Sequence, residues 1–153
     1  YGLEIGVGSG RFAAALGFGY GIDPSRRLLM MAKGRGIEVV EGVGEHLPFR
    51  TGSFRTVLMM TVICFLEDPS RVFREAGRVV ANGGSLVAGF IERDGEIETA
   101  YRNEKTKGRF LRFARFRTVD DVLRYFGDGG FSEITTVARA RGFCVVRGTK
   151  HRD

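Results

Sequence analysis

Short apolar runs alternate with stretches of helical period through the first two thirds of this chain. Residues 1–7 form an apolar run that meets a cluster of glycines, and 10–16 has the pattern of a short helix. Residues 19–23 read as a second strand. It ends in Asp23-Pro24-Ser25, where an Asp or Ser side chain can cap a helix over 25–33. A third strand is predicted at 37–41 and a fourth at 55–60, apolar almost throughout. Pro69 starts a helix to about Val80, with Val72, Phe73, Ala76, Val79 and Val80 on one face. Asn82-Gly83-Gly84 is expected to end that helix before a fifth strand at 85–91. This alternation is the pattern of an α/β protein with a mostly parallel sheet.

The last third differs. Residues 92–117 are charged and include the basic-aromatic run RFLRFARFR at 109–117. Phe110, Phe113 and Phe116 recur every three residues, as do Arg109, Arg112 and Arg115, with Arg117 following. On a helix that spacing puts the phenylalanines on one stripe, closing over the core or a ligand while the arginines face solvent. Thr118-Val119-Asp120-Asp121 reads as a helix start, with Val122, Leu123 and Phe126 as its buried stripe. Residues 131–138 and 142–147 read as two strands joined by an Arg139-Ala140-Arg141 turn, a terminal antiparallel hairpin.

Composition narrows the class. A chain of 153 residues with 43% hydrophobic and 27% charged residues is one ordinary globular domain. It excludes a disordered chain, a collagen-like repeat and a disulfide-dense scaffold. Cys64 and Cys144 are the only cysteines, each within an apolar run, the pattern of buried reduced thiols in a cytoplasmic protein. No apolar run approaches the length of a membrane span. No Cys/His spacing suggests a metal site. The formal net charge is +6, and of the 24 basic residues only Lys33, Lys105, Lys107 and Lys150 are lysines. Such a balance fits a nucleic-acid partner and equally an arginine-preferring proteome, since most of the arginines are scattered singly along the chain. The chain starts at Tyr1, within a strand, so an upstream segment is expected to be missing from a single domain spanning 1–153.

The strongest local feature is Leu3-Glu4-Ile5-Gly6-Val7-Gly8-Ser9-Gly10, a strand running into a glycine-rich turn and then a helix. Glycines let the backbone turn sharply and let a ligand approach without meeting a Cβ, and a helix start adds unpaired N–H donors. A dinucleotide fingerprint would need a small residue where Arg11 stands. The spacing therefore argues against NAD or FAD. Asp23, at the tip of strand two, is placed to accept both hydroxyls of a ribose.

At this point the chain resembles the class I S-adenosylmethionine-dependent methyltransferases, most closely the small-molecule branch related to ubiquinone and menaquinone methyltransferases. LEIGVGSG resembles the family's first motif and GIDPS its acidic second one. EGVGEHLPFRTGSF, at 41–54, resembles the segment between strands three and four. FREAGRVVANGGSLVAG, at 73–89, resembles the helix-turn-strand in which an arginine precedes a glycine turn. The resemblance implies a Rossmann-like three-layer sandwich with a seven-stranded sheet of order 3-2-1-4-5-7-6, closed by the antiparallel hairpin. It implies S-adenosylmethionine as cofactor and S-adenosylhomocysteine as product. Gly6, Gly8 and Gly10 would line the methionine moiety, with Glu4 near its amino group. Asp23 would hold the ribose hydroxyls with Pro24 beside the adenine. Gly44 and Glu45 would edge the adenine, and Thr61 would sit beside the methionine portion and the substrate mouth. Two departures stand out. Val43 occupies the place of the family's usual Asp, and the helix that commonly precedes the first strand is absent.

Methyl transfer needs alignment more than acid-base machinery, because the cofactor carries the reactive group. His46 and Glu92 are weak candidates for a base. Met60-Thr61-Val62-Ile63-Cys64-Phe65-Leu66 has neither proline nor amide, unlike the base-methylating enzymes that act on exocyclic amines, and favours a small, partly apolar acceptor. Two alternatives stand beside it: a nucleic-acid methyltransferase that uses the 109–117 run, and a non-catalytic cofactor-binding domain. The acceptor, the atom methylated and the oligomeric state are not written in the sequence.

Overall fold

A computed structural model describes residues 1–104 and 113–152. One seven-stranded sheet runs through it in the order β3-β2-β1-β4-β5-β7-β6, as expected. The strands are β1 Gly2–Ile5, β2 Tyr20–Asp23, β3 Glu38–Glu41, β4 Phe54–Met60, β5 Val80–Ile91, β6 Phe131–Ala140 and β7 Phe143–Lys150. The first five pair in parallel, whereas β7 pairs antiparallel with both β5 and β6. The helices are α1 Arg11–Leu16, α2 Arg26–Gly34, α3 Pro69–Val79, α4 Glu96–Asn103 and α5 Val119–Asp128, with a 3-10 turn at Ile63–Phe65 after β4.

Alternation along β1 splits the interior into two layers. Leu3 and Ile5 join the larger apolar cluster with Val57, Met59, Val72, Phe73, Ala76, Val122 and Phe126, under α3 and α5. Glu4, between them, faces the opposite way. On that face Val7, Ala13, Leu29, Ala32 and Ile37 form a smaller cluster under α1 and α2. Caps fix the helix starts. Ser25 Oγ accepts from Leu28 N at 3.4 Å, Asp68 Oδ1 accepts from Arg71 N at 3.1 Å, and Thr118 and Asp121 form a reciprocal capping box.

Three elements depart from the sequence reading. Asn82-Gly83-Gly84 does not separate helix from strand but lies inside β5. Phe54 pairs with Val80 and Thr56 with Ser85, so the intervening residues of β5 bulge out of the ladder. The hairpin turns at Arg141-Gly142, not at 139–141. Both residues have positive φ, 53° and 78°, the backbone that matches the twist of the flanking strands. Where it is described, the basic-aromatic run is 3-10 only at Phe113 and does not continue as a helix beyond it. Phe113 is 69% exposed, and residues 114–116 belong to no helix or strand. Arg109, Phe110 and Arg112 lie outside the described residues. Helix α4 was not foreseen. It is anchored by the buried Glu98, which accepts from Asp94 N and pairs with Arg102 at 2.6 Å.

Candidate functional site

Parallel strands β1, β2, β4 and β5 end along one edge of the sheet, and the sequence motifs meet there. The loop from Gly6 to Gly10 leaves β1 and bonds to β2, since Gly6 N and Val7 N both donate to Ile22 O, at 2.8 and 3.1 Å. Asp23, at the end of β2, closes the loop from the other side. Its Oδ2 accepts from Gly8 N at 3.0 Å and its Oδ1 from Ser25 N at 2.8 Å. One carboxylate thus holds both the glycine loop and the start of α2. Each oxygen has a second lone pair for an incoming hydroxyl.

The glycines of the loop do different work. At Gly6, φ is 72° and a Cβ would lie 2.5 Å from Val62 Cγ2, so the loop packs tightly onto the turn after β4. At Gly8, φ is 52° but a Cβ would find only Leu28 Cδ1, at 3.9 Å. Gly8 therefore turns its free face outward. A ligand along this face would approach the backbone closely, with Leu28 Cδ1 alongside.

Glu4 sits beneath the loop rather than on its open face. Its side chain is 1% exposed, and its Oε2 accepts from Ala13 N at 3.0 Å, within the first turn of α1. Burial pushes its carboxyl up to about 7. The Ala13 bond opposes that rise, and the charge of Asp23 adds to it. This bond takes up one of the N–H donors that a free helix start would offer.

The other predicted residues ring the same edge. Gly44 is buried, where a Cβ would press on Val72 and Ile5, while Pro24 is exposed and Val43 is 44% exposed. The stretch that carries them is held by a clamp with no sequence signal beyond an arginine before the glycine turn. Arg78 pairs with Glu75 at 2.7 Å and donates to Phe49 O and Leu47 O at 2.8 and 2.9 Å. Glu75 in turn accepts from Leu47 N at 2.8 Å. The Arg78 guanidinium holds the Glu75 carboxyl below the usual range. Arg71 donates to Glu45 O at 3.2 Å, and its Nη2 lies 2.7 Å from His46 Nε2.

Thr61 stands directly after β4 with φ 56°, a conformation unfavourable for a β-branched residue. It is pinned by Thr61 N donating to Gly89 O at 2.8 Å and by its hydroxyl donating to Met60 O at 2.7 Å. Glu92 lies just past β5 on this edge, tied to Arg139 at 2.6 Å. Burial pushes the Cys64 thiol up to about 11, so it stays protonated near neutral pH and is a poor nucleophile.

An open sheet with a glycine loop and an acidic strand tip at its carboxyl edge defines a Rossmann-like cofactor-binding domain. The comparisons with known proteins identify its kind. A family model described as a methyltransferase domain matches residues 3–88. A crystal structure from Thermotoga maritima, described as an S-adenosylmethionine-dependent methyltransferase and possible histamine N-methyltransferase, superposes with a TM-score of 0.87. It is 35% identical and covers 97% of this chain and 81% of its own. An uncharacterized protein of Mycobacterium tuberculosis is 44% identical over 133 residues, 86% of this chain and 47% of that protein. The malonyl-[acyl-carrier protein] O-methyltransferase of Geobacter sulfurreducens is 31% identical over 149 residues, 86% of this chain and 55% of its own. The chain spans about half the length of these two curated relatives. It belongs to the class I S-adenosylmethionine-dependent methyltransferase domains.

Proposed function

We propose that this domain transfers a methyl group from S-adenosylmethionine to a small-molecule acceptor. The observation that carries the reading is the bond from Gly8 N to Asp23 Oδ2 at 3.0 Å, which couples the open glycine loop to the acidic strand tip. The residues present fit the cofactor. The outward face of Gly8 leaves room for a chain along the backbone, and Asp23 keeps acceptor lone pairs for two hydroxyls.

When bound, S-adenosylmethionine supplies an electrophilic methyl group on its sulfonium. The rest is done by the chain. Gly6, Gly8 and Gly10 would line the methionine portion, and Glu4 would set the loop's height by holding Ala13 N from below. Asp23 would take the ribose hydroxyls, with Pro24 and the Gly44-Glu45 stretch about the adenine. Val43, in place of an acid, leaves the adenine amino group to Glu45 or to backbone. Thr61 would shape the space between methionine portion and acceptor. Alignment of the acceptor nucleophile with the methyl group is then the main catalytic contribution. His46 and Glu92 remain the two base candidates. Each must first give up its arginine, Arg71 or Arg139.

A nucleic-acid acceptor is not favoured. Residues 114–116 of the 109–117 run form no helix that could present a stacking stripe, and the Geobacter relative is named a malonyl-[acyl-carrier protein] O-methyltransferase. No described helix is long and apolar enough to cross a membrane.

Titration calorimetry with S-adenosylhomocysteine, with NADH as control, tests the cofactor site. Micromolar binding of the first alone is the expected result, and binding of NADH alone would overturn the reading. Transfer of labelled methyl onto small acceptors then separates an enzyme from a non-catalytic binding domain.

A further inference from the structure

The carboxyl ends of β4 and β5 are crossed by a short strap, residues 113–117, whose chemistry the cofactor site does not use. Arg115 N donates to Cys64 O at 2.7 Å, in the turn after β4. Arg93 N donates to Arg117 O at 2.9 Å and Arg93 Nε to Phe116 O at 3.1 Å, while Arg117 bridges to Glu92 in parallel register. The strap is therefore fixed to the post-β4 turn on one side and to the end of β5 on the other. That same turn reaches the glycine loop through Val62, which abuts Gly6. The strap that carries Arg117 thus joins, through the turn after β4, the edge of the sheet that holds the glycine loop.

Among the described residues no side chain answers the guanidinium of Arg117. Its Nε is shielded from solvent and has no hydrogen-bond partner among the described residues. No described carboxylate forms an ion pair with it. Glu92, its bridge partner, is committed to Arg139. Residues 105–112 contain no acidic side chain, so that stretch of sequence offers no carboxylate either. Arg93 and Arg115 lie on the same strap contacts. Arg141 stands in the turn whose Gly142 O accepts from Glu92 N at 2.8 Å. A shielded donor left without an acceptor is unfavourable unless a ligand completes it.

We infer that Arg117 anchors a carboxylate of the methyl acceptor, which makes the acceptor an organic acid. The inference rests on the methyltransferase reading given above. A guanidinium fork matches a carboxylate with two parallel N–H bonds, one of them here from the shielded Nε. The carboxylate is a handle, distinct from the question of which atom is methylated. The amine suggested for the Thermotoga structure points the other way, and the test includes it.

Heteronuclear NMR of the arginine Nε–H signals, on the protein saturated with S-adenosylhomocysteine, reads this directly. The probes are hexanoate, glutarate and benzoate, with hexanamide, benzamide and histamine as controls. The Arg117 signal is assigned by its loss in Arg117→Lys, and backbone amides of the strap report in parallel without any variant. Carboxylates are expected to move the Arg117 signal and the controls to leave it. Arg117→Gln is expected to weaken carboxylate binding roughly tenfold or more while the S-adenosylhomocysteine dissociation constant stays within about twofold. No movement with any carboxylate up to about 50 mM, a range that reaches millimolar affinities, would overturn the inference. Equal movement with the amides or histamine would do the same. Failure of S-adenosylhomocysteine to bind would instead sink the cofactor reading, and the carboxylate titration on the unliganded protein still decides the fate of Arg117.

Discussion

Glu4 and Asp23 are carboxylates at the ends of neighbouring strands, and their surroundings give them different tasks. Asp23 is half-exposed and collects two backbone N–H groups, from Gly8 and Ser25, on the open side of the loop. Removing it in Asp23→Ala should cost about 1.5–3 kcal/mol of S-adenosylhomocysteine binding, the range for a charge-assisted bond left unmade. Calorimetry would read this as a roughly 10- to 150-fold rise in Kd. An unchanged Kd would reduce Asp23 to a brace between loop and helix. Glu4 is sealed beneath the loop with one donor, Ala13 N, and burial lifts its carboxyl from 4.5 to about 7. Between those values the folded protein keeps the proton that the unfolded chain has released. Stability therefore falls as pH rises through that window, by on the order of 3 kcal/mol. Glu4→Gln keeps the acceptor for Ala13 N and removes the charge. Urea unfolding at pH 5 and pH 8 should show the wild type losing stability between the two and the variant losing much less. Equal losses in both would show that water reaches Glu4.

Elements position these residues by contacts that differ in how visible they are along the chain. The glycine loop is local, and its spacing announces both the sharp turn and the absence of side chains. The structure then separates Gly6 from Gly8 by what surrounds them. Gly6→Ala would drive a Cβ into Val62 as well as strain the backbone. Gly8→Ala strains the backbone alone, at about 1–2 kcal/mol, and puts its methyl on the outward face. Thermal melts should show a shift of about 2–8 °C for Gly8→Ala and a larger one for Gly6→Ala. Binding of S-adenosylhomocysteine should nevertheless fall in Gly8→Ala, and full retention would place the ligand elsewhere. The strands, the order of the sheet and the acidic tip were legible for the same reason: each is written in a continuous stretch of chain. Three features were not. The Arg78–Glu75 clamp joins α3 to carbonyls about thirty residues earlier, the strap meets the turn after β4 fifty residues before it, and α4 follows a buried Glu98 that looks like a surface acid. Pairings of that separation leave no periodicity to read. The Asn82-Gly83-Gly84 bulge misled for a related reason, because glycines that end a helix and glycines that bulge a strand look alike in sequence.

For the whole molecule, opposed carboxylates set the response to acid. The Arg78 guanidinium depresses the Glu75 carboxyl, and the Thr118 N–H depresses that of Asp121 in its capping box. A depressed carboxyl contributes stability that is present above the unfolded value, 4.5 for Glu75 and 3.8 for Asp121, and lost as pH falls through the folded one. Glu4 works in the other direction, since its burden begins above 4.5 and is complete a little past 7. The formal net charge of +6 at pH 7 grows further on acidification and adds self-repulsion at the low end. These effects together place the stability maximum near pH 5, on the acid side of neutral, although the sequence pI is about 9.8. Urea midpoints measured from pH 3 to pH 9 should rise to that maximum and then decline toward pH 8. In Glu4→Gln the acid limb should remain while the decline above pH 5 flattens. A wild-type curve that climbs steadily to pH 8 would mean that the loop opens enough to hydrate Glu4. The closed arrangement of Glu4, Ala13 and Asp23 would then belong to the ligand-bound protein alone.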